Sequence, residues 1–143
     1  MPAFTTMRRV EFRDTDAAGI VHFSRFFTWM EEAEHEALRS VGMSVMPGQD
    51  TPAELQVGWP RINASCEYQK PLRFEDEVQI SVLAVRIGGK SVVYEFIFTL
   101  DSQVIATGSM TAVCCRLVDG QIRSDSIPAD LRECLLKLTE AGS

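Results

Sequence analysis

The chain has 143 residues, of which 45 % are hydrophobic and 24 % charged, with a net charge of −6. Those values suit one globular domain, taken here as residues 1–143 without linker or internal repeat. The acidic balance argues against a nucleic-acid binder, since no run of Lys and Arg is dense enough to neutralise phosphates.

No apolar run is long enough to span a membrane, and the N-terminal MPAFTTMRRVEF lacks the apolar region of a signal peptide. A cytoplasmic location without a membrane partner is expected. Cys66, Cys114, Cys115 and Cys134 form no C-x-x-C pair, and the histidines are His22 and His35. No metal site is expected from that set, and the thiols read as small core residues in a reducing compartment. The first few residues and Ala141-Gly142-Ser143 read as disordered ends.

In chain order, an N-terminal strand leads to the acidic turn DTDAAGIVHF, Asp14 to Phe23. The clearest helix follows. Phe23, Phe26, Phe27, Met30, Ala33, Ala37, Leu38 and Val41 keep the three-four spacing of one buried face. Glu31, Glu32, Glu34, Glu36 and Arg39 mostly fall on the solvated side. Ser24 suits the N-cap and Gly42 the C′ position.

Strands follow the helix. Ile62, Ala64, Cys66 and Tyr68 alternate with polar residues, so this strand is expected to bury one face. Val78 to Ile87 and Ser91 to Leu100 flank Gly88-Gly89, which offers the positive φ angles of a tight hairpin. Asp101-Ser102-Gln103 turns into a last strand from about Val104 to Val118, ended by Asp119-Gly120. Pro128 opens a short helix in which Leu131, Leu135 and Leu138 face the body. The pieces make an α+β fold in which one curved antiparallel sheet wraps a long central helix. Its exposed strand edges predict a homo-oligomer.

The acidic turn is the candidate site. Counted as a calcium loop from Asp14, it places Ala18 at position five and Arg25 at position twelve, where a bidentate Glu is needed. Calcium is therefore rejected. Two readings stay open on the residues alone. One is a polar turn whose acids offset the helix dipole. The other is a reactive carboxylate at Asp16, beside helix N–H groups near Phe23 that can polarise a carbonyl. An acid with backbone donors suffices when the leaving group is as good as a thiolate, which points toward thioester hydrolysis.

The segment VEFRDTDAAGIVHFSRFFTWMEEA, long strands and a C-terminal IPADL resemble the hotdog-fold acyl-CoA thioesterases of the 4-hydroxybenzoyl-CoA thioesterase family. The run DTDAAG before two aliphatic residues looks especially like the branch that hydrolyses 1,4-dihydroxy-2-naphthoyl-CoA. The resemblance implies that Asp16 is the catalytic carboxylate, that Gly19 keeps the turn tight, and that the Phe23 N–H binds the thioester oxygen. It implies an acyl-CoA substrate, no cofactor, and a dimer or dimer of dimers with CoA lying between subunits. Arg86, Lys90, Lys70 and Arg73 are the basic candidates for its phosphates, and His22, Phe26, Phe27 and Trp29 for the acyl pocket. Relatives carry His or Tyr where Phe23 stands, and Tyr at Phe26, so only a backbone role is expected of Phe23. A second branch of such enzymes uses a Glu within the helix, which keeps Glu31 and Glu32 as alternatives. The rivals are a hotdog-fold hydratase or dehydratase, for which only His22 could serve, and a non-catalytic acyl-thioester binding module.

Overall fold

The computed structural model describes residues 4–140, so the chain ends named above lie outside the described residues. Helix α1 (Arg25–Ser40) forms where Phe26, Trp29, Met30, Ala33, Ala37 and Leu38 recur at three- and four-residue steps, and all six are buried. Gly42, at φ 86°, closes it: the Gly42 and Met43 N–H groups donate to the Arg39 and Leu38 carbonyls at 3.2 and 2.8 Å. This pairing satisfies two carbonyls of the last turn. Two residues depart from the expected wheel. Phe23 precedes the helix and is 62 % exposed, whereas Glu34 is buried among the core side chains.

Strands β1 (Phe4–Arg9), β2 (Arg61–Tyr68), β3 (Glu77–Ile87), β4 (Ser91–Leu100) and β5 (Gln103–Val113) form one antiparallel sheet in the order β1-β3-β4-β5-β2. Alternate residues of the central strands, such as Ile80, Val82, Phe96 and Phe98, are buried in one cluster with the apolar face of α1. Each such side chain contributes about 1.5–3 kcal/mol on burial. The helix approaches β5 most closely at Gly108, where a Cβ would lie 2.1 Å from Met30 Sδ. The absence of a side chain there lets the helix seat.

The expectation that β2 buries Ile62, Ala64, Cys66 and Tyr68 is not met within one chain. Ile62 is 68 % exposed and lies in a register shift between Arg61 and Asn63. The strand is an edge, and α1 meets β3 and β1 more than it meets β2. Gly88 and Gly89 also differ from expectation, since neither takes a left-handed φ. That hairpin is instead a three-residue loop closed by Gly88 N–H to Ser91 O at 2.8 Å. The left-handed pairs are Asp101-Ser102 and Asp119-Gly120, both in tight turns that match the twist of a hairpin. Asp119-Gly120 does end the run at Val118, as expected, but that run is not the last strand. The turn joins β6 (Cys115–Val118) to β7 (Gln121–Ser124), and the expected long strand breaks at Cys114.

Helix α2 (Ala129–Leu136) packs through Leu135, and Leu138 just beyond it is also buried. The Leu138 carbonyl accepts the Ala84 N–H at 2.8 Å, which docks this tail on β3. All four cysteines are free thiols. No described helix is long and apolar enough to cross a membrane.

Candidate active site

The segment Glu11 to Phe23 makes two turns in succession, one closed by Asp14 and the other by Asp16. Residues Phe12–Asp14 form a single 3-10 turn. Asp14 Oδ2 accepts the Glu11 N–H at 2.8 Å, and Oδ1 accepts from Arg25 Nε at 2.8 Å. The buried Asp14 carboxylate is thus fully occupied, as a charge out of water must be.

Asp16 is different. It is exposed, and its Oδ1 accepts the Ala18 N–H at 2.8 Å in an Asx turn. The Gly19 N–H reaches Asp16 O at 2.9 Å, and the Asp16 N–H reaches Ile20 O at 3.0 Å. Gly19 sits at φ 80°, which a side chain would strain. The turn is tight for that reason. Asp16 Oδ2 has no partner among the described residues.

Past the turn, Val21 N–H donates to Leu72 O at 2.8 Å and His22 N–H to Asp14 O at 2.8 Å. His22 then closes the helix start. Its Nδ1 accepts the Ser24 N–H at 3.2 Å and pairs with Ser24 Oγ at 2.8 Å. The expected N-cap, Ser24, makes no side-chain cap bond of its own. The Phe23 N–H, just before the N-cap position, finds no acceptor among the described residues, which leaves an unpaired donor beside the start of α1.

These pieces meet at an open cavity of about 440 Å³ lined by Asp16, Ile20, Val21, Phe23, Phe26, Tyr68, Gln69, Lys70, Pro71 and Leu72. Asp16, an apolar wall and Phe23 thus line one cleft. Phe26 is its floor, edge-on to Tyr68 at 5.0 Å, to Phe98 at 5.1 Å and to Trp29 at 5.6 Å between ring centroids.

The sequence candidates divide accordingly. Asp16, Phe23, Phe26 and Lys70 line the cavity, and Gly19 shapes its turn. Trp29 is buried behind Phe26 and Phe27 is half-buried, so neither forms the wall. His22 stacks on Phe23 at 4.5 Å, and its Nδ1 is engaged by Ser24. The Lys70 ammonium donates to Gln103 Oε1. Arg73 lies outside the lining, in a turn where its N–H donates to Asp76 Oδ2 at 2.8 Å. Arg86 stands near the end of β3 and Lys90 in the hairpin loop after it, and neither lines the cavity. One chain does not bring them to Asp16. Glu31 is exposed, Glu32 pairs with Arg8 at 3.3 Å, and neither lines the cavity.

Tyr68 is the principal residue that pattern reading missed. Its hydroxyl donates to Phe23 O at 3.1 Å, and partial burial holds the phenol above its ordinary pKa. The only signal in the sequence was a tyrosine at the end of a strand, just before Gln69-Lys70-Pro71. Glu34 was missed as well. It pairs with Arg61 from β2, lies 3.6 Å from His35 Nε2, and burial pushes its carboxyl up to about 7 against the pull of Arg61. This second cluster lies outside the cavity.

Residues 10–135 match the model of the thioesterase-like superfamily. The chain is 30 % identical over 132 residues to a 1,4-dihydroxy-2-naphthoyl-CoA hydrolase of Synechococcus sp. (strain CC9605), covering 83 % of this chain and 87 % of that protein. A solved gentisyl-coenzyme A thioesterase is similar at TM-score 0.78 and 30 % identity, over 92 % of this chain and 99 % of the other. A 4-hydroxybenzoyl CoA thioesterase in complex with 4-hydroxybenzoyl CoA shares the fold at TM-score 0.81 and 22 % identity, over 92 % and 97 % of the two chains.

Proposed function

The chain belongs to the thioesterase-like superfamily, and on that premise we propose that it hydrolyses aromatic acyl-CoA thioesters to the carboxylic acid and free CoA. The observation that carries the proposal is that Asp16 and Phe23 line one aromatic-walled cleft, Phe23 with an N–H that has no acceptor among the described residues. The cleft is open, and its Phe26 and Tyr68 rings suit a flat acyl group.

In this reading the thioester oxygen sits on the Phe23 N–H, where charge developing on oxygen meets the dipole of α1. Asp16 then acts on the carbonyl carbon in one of two ways. As a nucleophile it forms an acyl–aspartyl anhydride while the C–S bond breaks, and water hydrolyses that anhydride. As a general base it takes a proton from water, whose oxygen attacks directly. In both, the thiolate of CoA leaves without needing an acid, so no second titrating side chain is required. The engagement of His22 Nδ1 by Ser24 supports hydrolysis over a hydratase mechanism built on that imidazole.

A homo-oligomer is part of the proposal. Its support is the unpaired edge of β2, with Ile62 at 68 % exposure and Tyr68 half-exposed at the cavity. Pairing along that edge encloses the cleft, and the partner's hairpin at positions 86–90 becomes the source of further cations for the CoA phosphates. Lys70 is the cation that one chain supplies at the cleft itself. CoA esters and four free thiols fit a reducing, cytoplasmic setting.

Thiol release from benzoyl-, acetyl- and palmitoyl-CoA tests the reading. Turnover of the aromatic ester at least about tenfold above the other two in kcat/KM supports it, a discrimination that a fitted apolar pocket can supply. Binding of all three esters without release of CoA contradicts it in favour of a binding module.

A further inference from the structure

The Phe23 carbonyl lies just outside the hydrogen-bond ladder of α1. The Phe27 N–H, which would reach it in a longer helix, donates to Ser24 O at 3.2 Å, and the Arg25 N–H donates to His22 O at 3.0 Å. The acceptor left over is taken by the Tyr68 hydroxyl at 3.1 Å. Tyr68 comes from the last position of β2, opposite Ala106, and its ring packs edge-on against Phe26 at 5.0 Å. One side chain thus joins the sheet edge, the cavity floor and the residue whose N–H faces no acceptor.

We propose that Tyr68 is a positioning residue, a strut that fixes the Phe23 backbone so that its N–H stays directed at the bound thioester. This rests on the thioesterase reading and deepens it. Tyr68 and His22 Nδ1 both hold the Phe23–Ser24 peptide, through its carbonyl and its N–H. The His22–Phe23 peptide, which carries the Phe23 N–H, is held through His22 O, which accepts the Arg25 N–H at 3.0 Å. With both flanking peptides held, the backbone at Phe23 has little freedom to swing. A donor held in place before charge develops costs nothing to reorient in the transition state, whereas a swinging one does. The phenol touches neither the leaving sulfur nor the attacking oxygen in this role, so its loss affects the chemical step rather than ground-state binding.

The test is Tyr68→Phe, which keeps the ring against Phe26 and removes only the hydroxyl. Steady-state turnover of benzoyl-CoA is compared with amide exchange at Ser24 and Arg25. The strut predicts kcat lower by about tenfold, KM within about twofold, and exchange at those amides faster by about fivefold. An unchanged kcat overturns it, as does a rise in KM at constant kcat, which would make the hydroxyl a substrate contact. If the wild type releases no thiol, the thioesterase reading falls separately, and the exchange rates decide the strut alone. Unaltered exchange in the variant then refutes it, and faster exchange sustains it.

Discussion

Arg25 Nε and Asp14 Oδ1 meet at 2.8 Å, tying the first residue of the central helix to the turn that precedes it. The two acids of the D-x-D turn therefore have separate tasks. Asp14 is buried and builds the turn, while Asp16 is exposed on it. Asp14→Ala leaves the Arg25 guanidinium and the Glu11 N–H without their acceptor. Because the Arg25 side chain is part-exposed, losing these charged bonds is expected to cost about 1–3 kcal/mol. Urea unfolding should show the midpoint falling at unchanged slope. A loss below about 0.5 kcal/mol, the range of an ordinary surface change, would contradict the task assigned to Asp14.

Gly108 offers a test of the helix–sheet contact. Its hypothetical Cβ would lie 2.1 Å from Met30 Sδ and 3.3 Å from Ser65 O. Gly108→Ala is expected to destabilise by about 1–3 kcal/mol, as overpacking of a filled core does. In the Met30→Ala background the same change should cost much less, because the nearest obstacle is gone. Additive effects in that double-mutant cycle would show that Met30 is not what excludes a side chain at Gly108.

The buried Glu34 makes stability depend on pH in a predictable direction. Burial raises its carboxyl from an ordinary 4.5 to about 7, so between those values the folded state holds a proton that the unfolded state releases. Its contribution is complete below about 4.5 and is lost as pH rises through about 7. The size is on the order of 3 kcal/mol at most. Glu34→Gln should flatten the wild-type decline between pH 5 and pH 8 in denaturant titrations. Parallel curves for the two proteins would contradict the shift.

The oligomeric part of the proposal rests on residues that one chain holds outside the cavity lining. Arg86→Ala with Lys90→Ala should raise KM for a CoA ester by about tenfold and leave kcat nearly unchanged, the pattern of lost uniform binding. Added salt should narrow the difference from wild type. An unchanged KM would remove the hairpin from the CoA site.

How far the sequence can be read depends on whether a residue's partners are local. The face Phe26–Met30–Ala33–Ala37 was legible because helical periodicity is a local property, and Gly42 because a helix stop is too. The turn at Asp16 and Gly19 was legible as a turn through its residue types and spacing. Glu34 was not, since an acid on a helix reads as solvated unless its buried partner, here Arg61 on β2, is known. The exposed face of β2 escaped the alternation pattern because alternation does not tell an edge strand from an inner one. Tyr68 was hidden for a similar reason: its hydroxyl bond spans 45 residues of sequence. Arg86 and Lys90 were named for CoA phosphates by the resemblance alone, and one chain holds them outside the cavity lining.

The central claim is that Asp16 carries the chemistry, and Asp16→Asn tests it most directly. Asn keeps the side-chain oxygen that accepts the Ala18 N–H, so the turn should survive and the melting temperature should hold. Thiol release from benzoyl-CoA, followed with both proteins at saturating substrate, should fall by about 10³-fold or more in kcat, as loss of a nucleophile or essential base does. A variant that keeps kcat within about tenfold of wild type would leave the carboxylate without a place in the reaction.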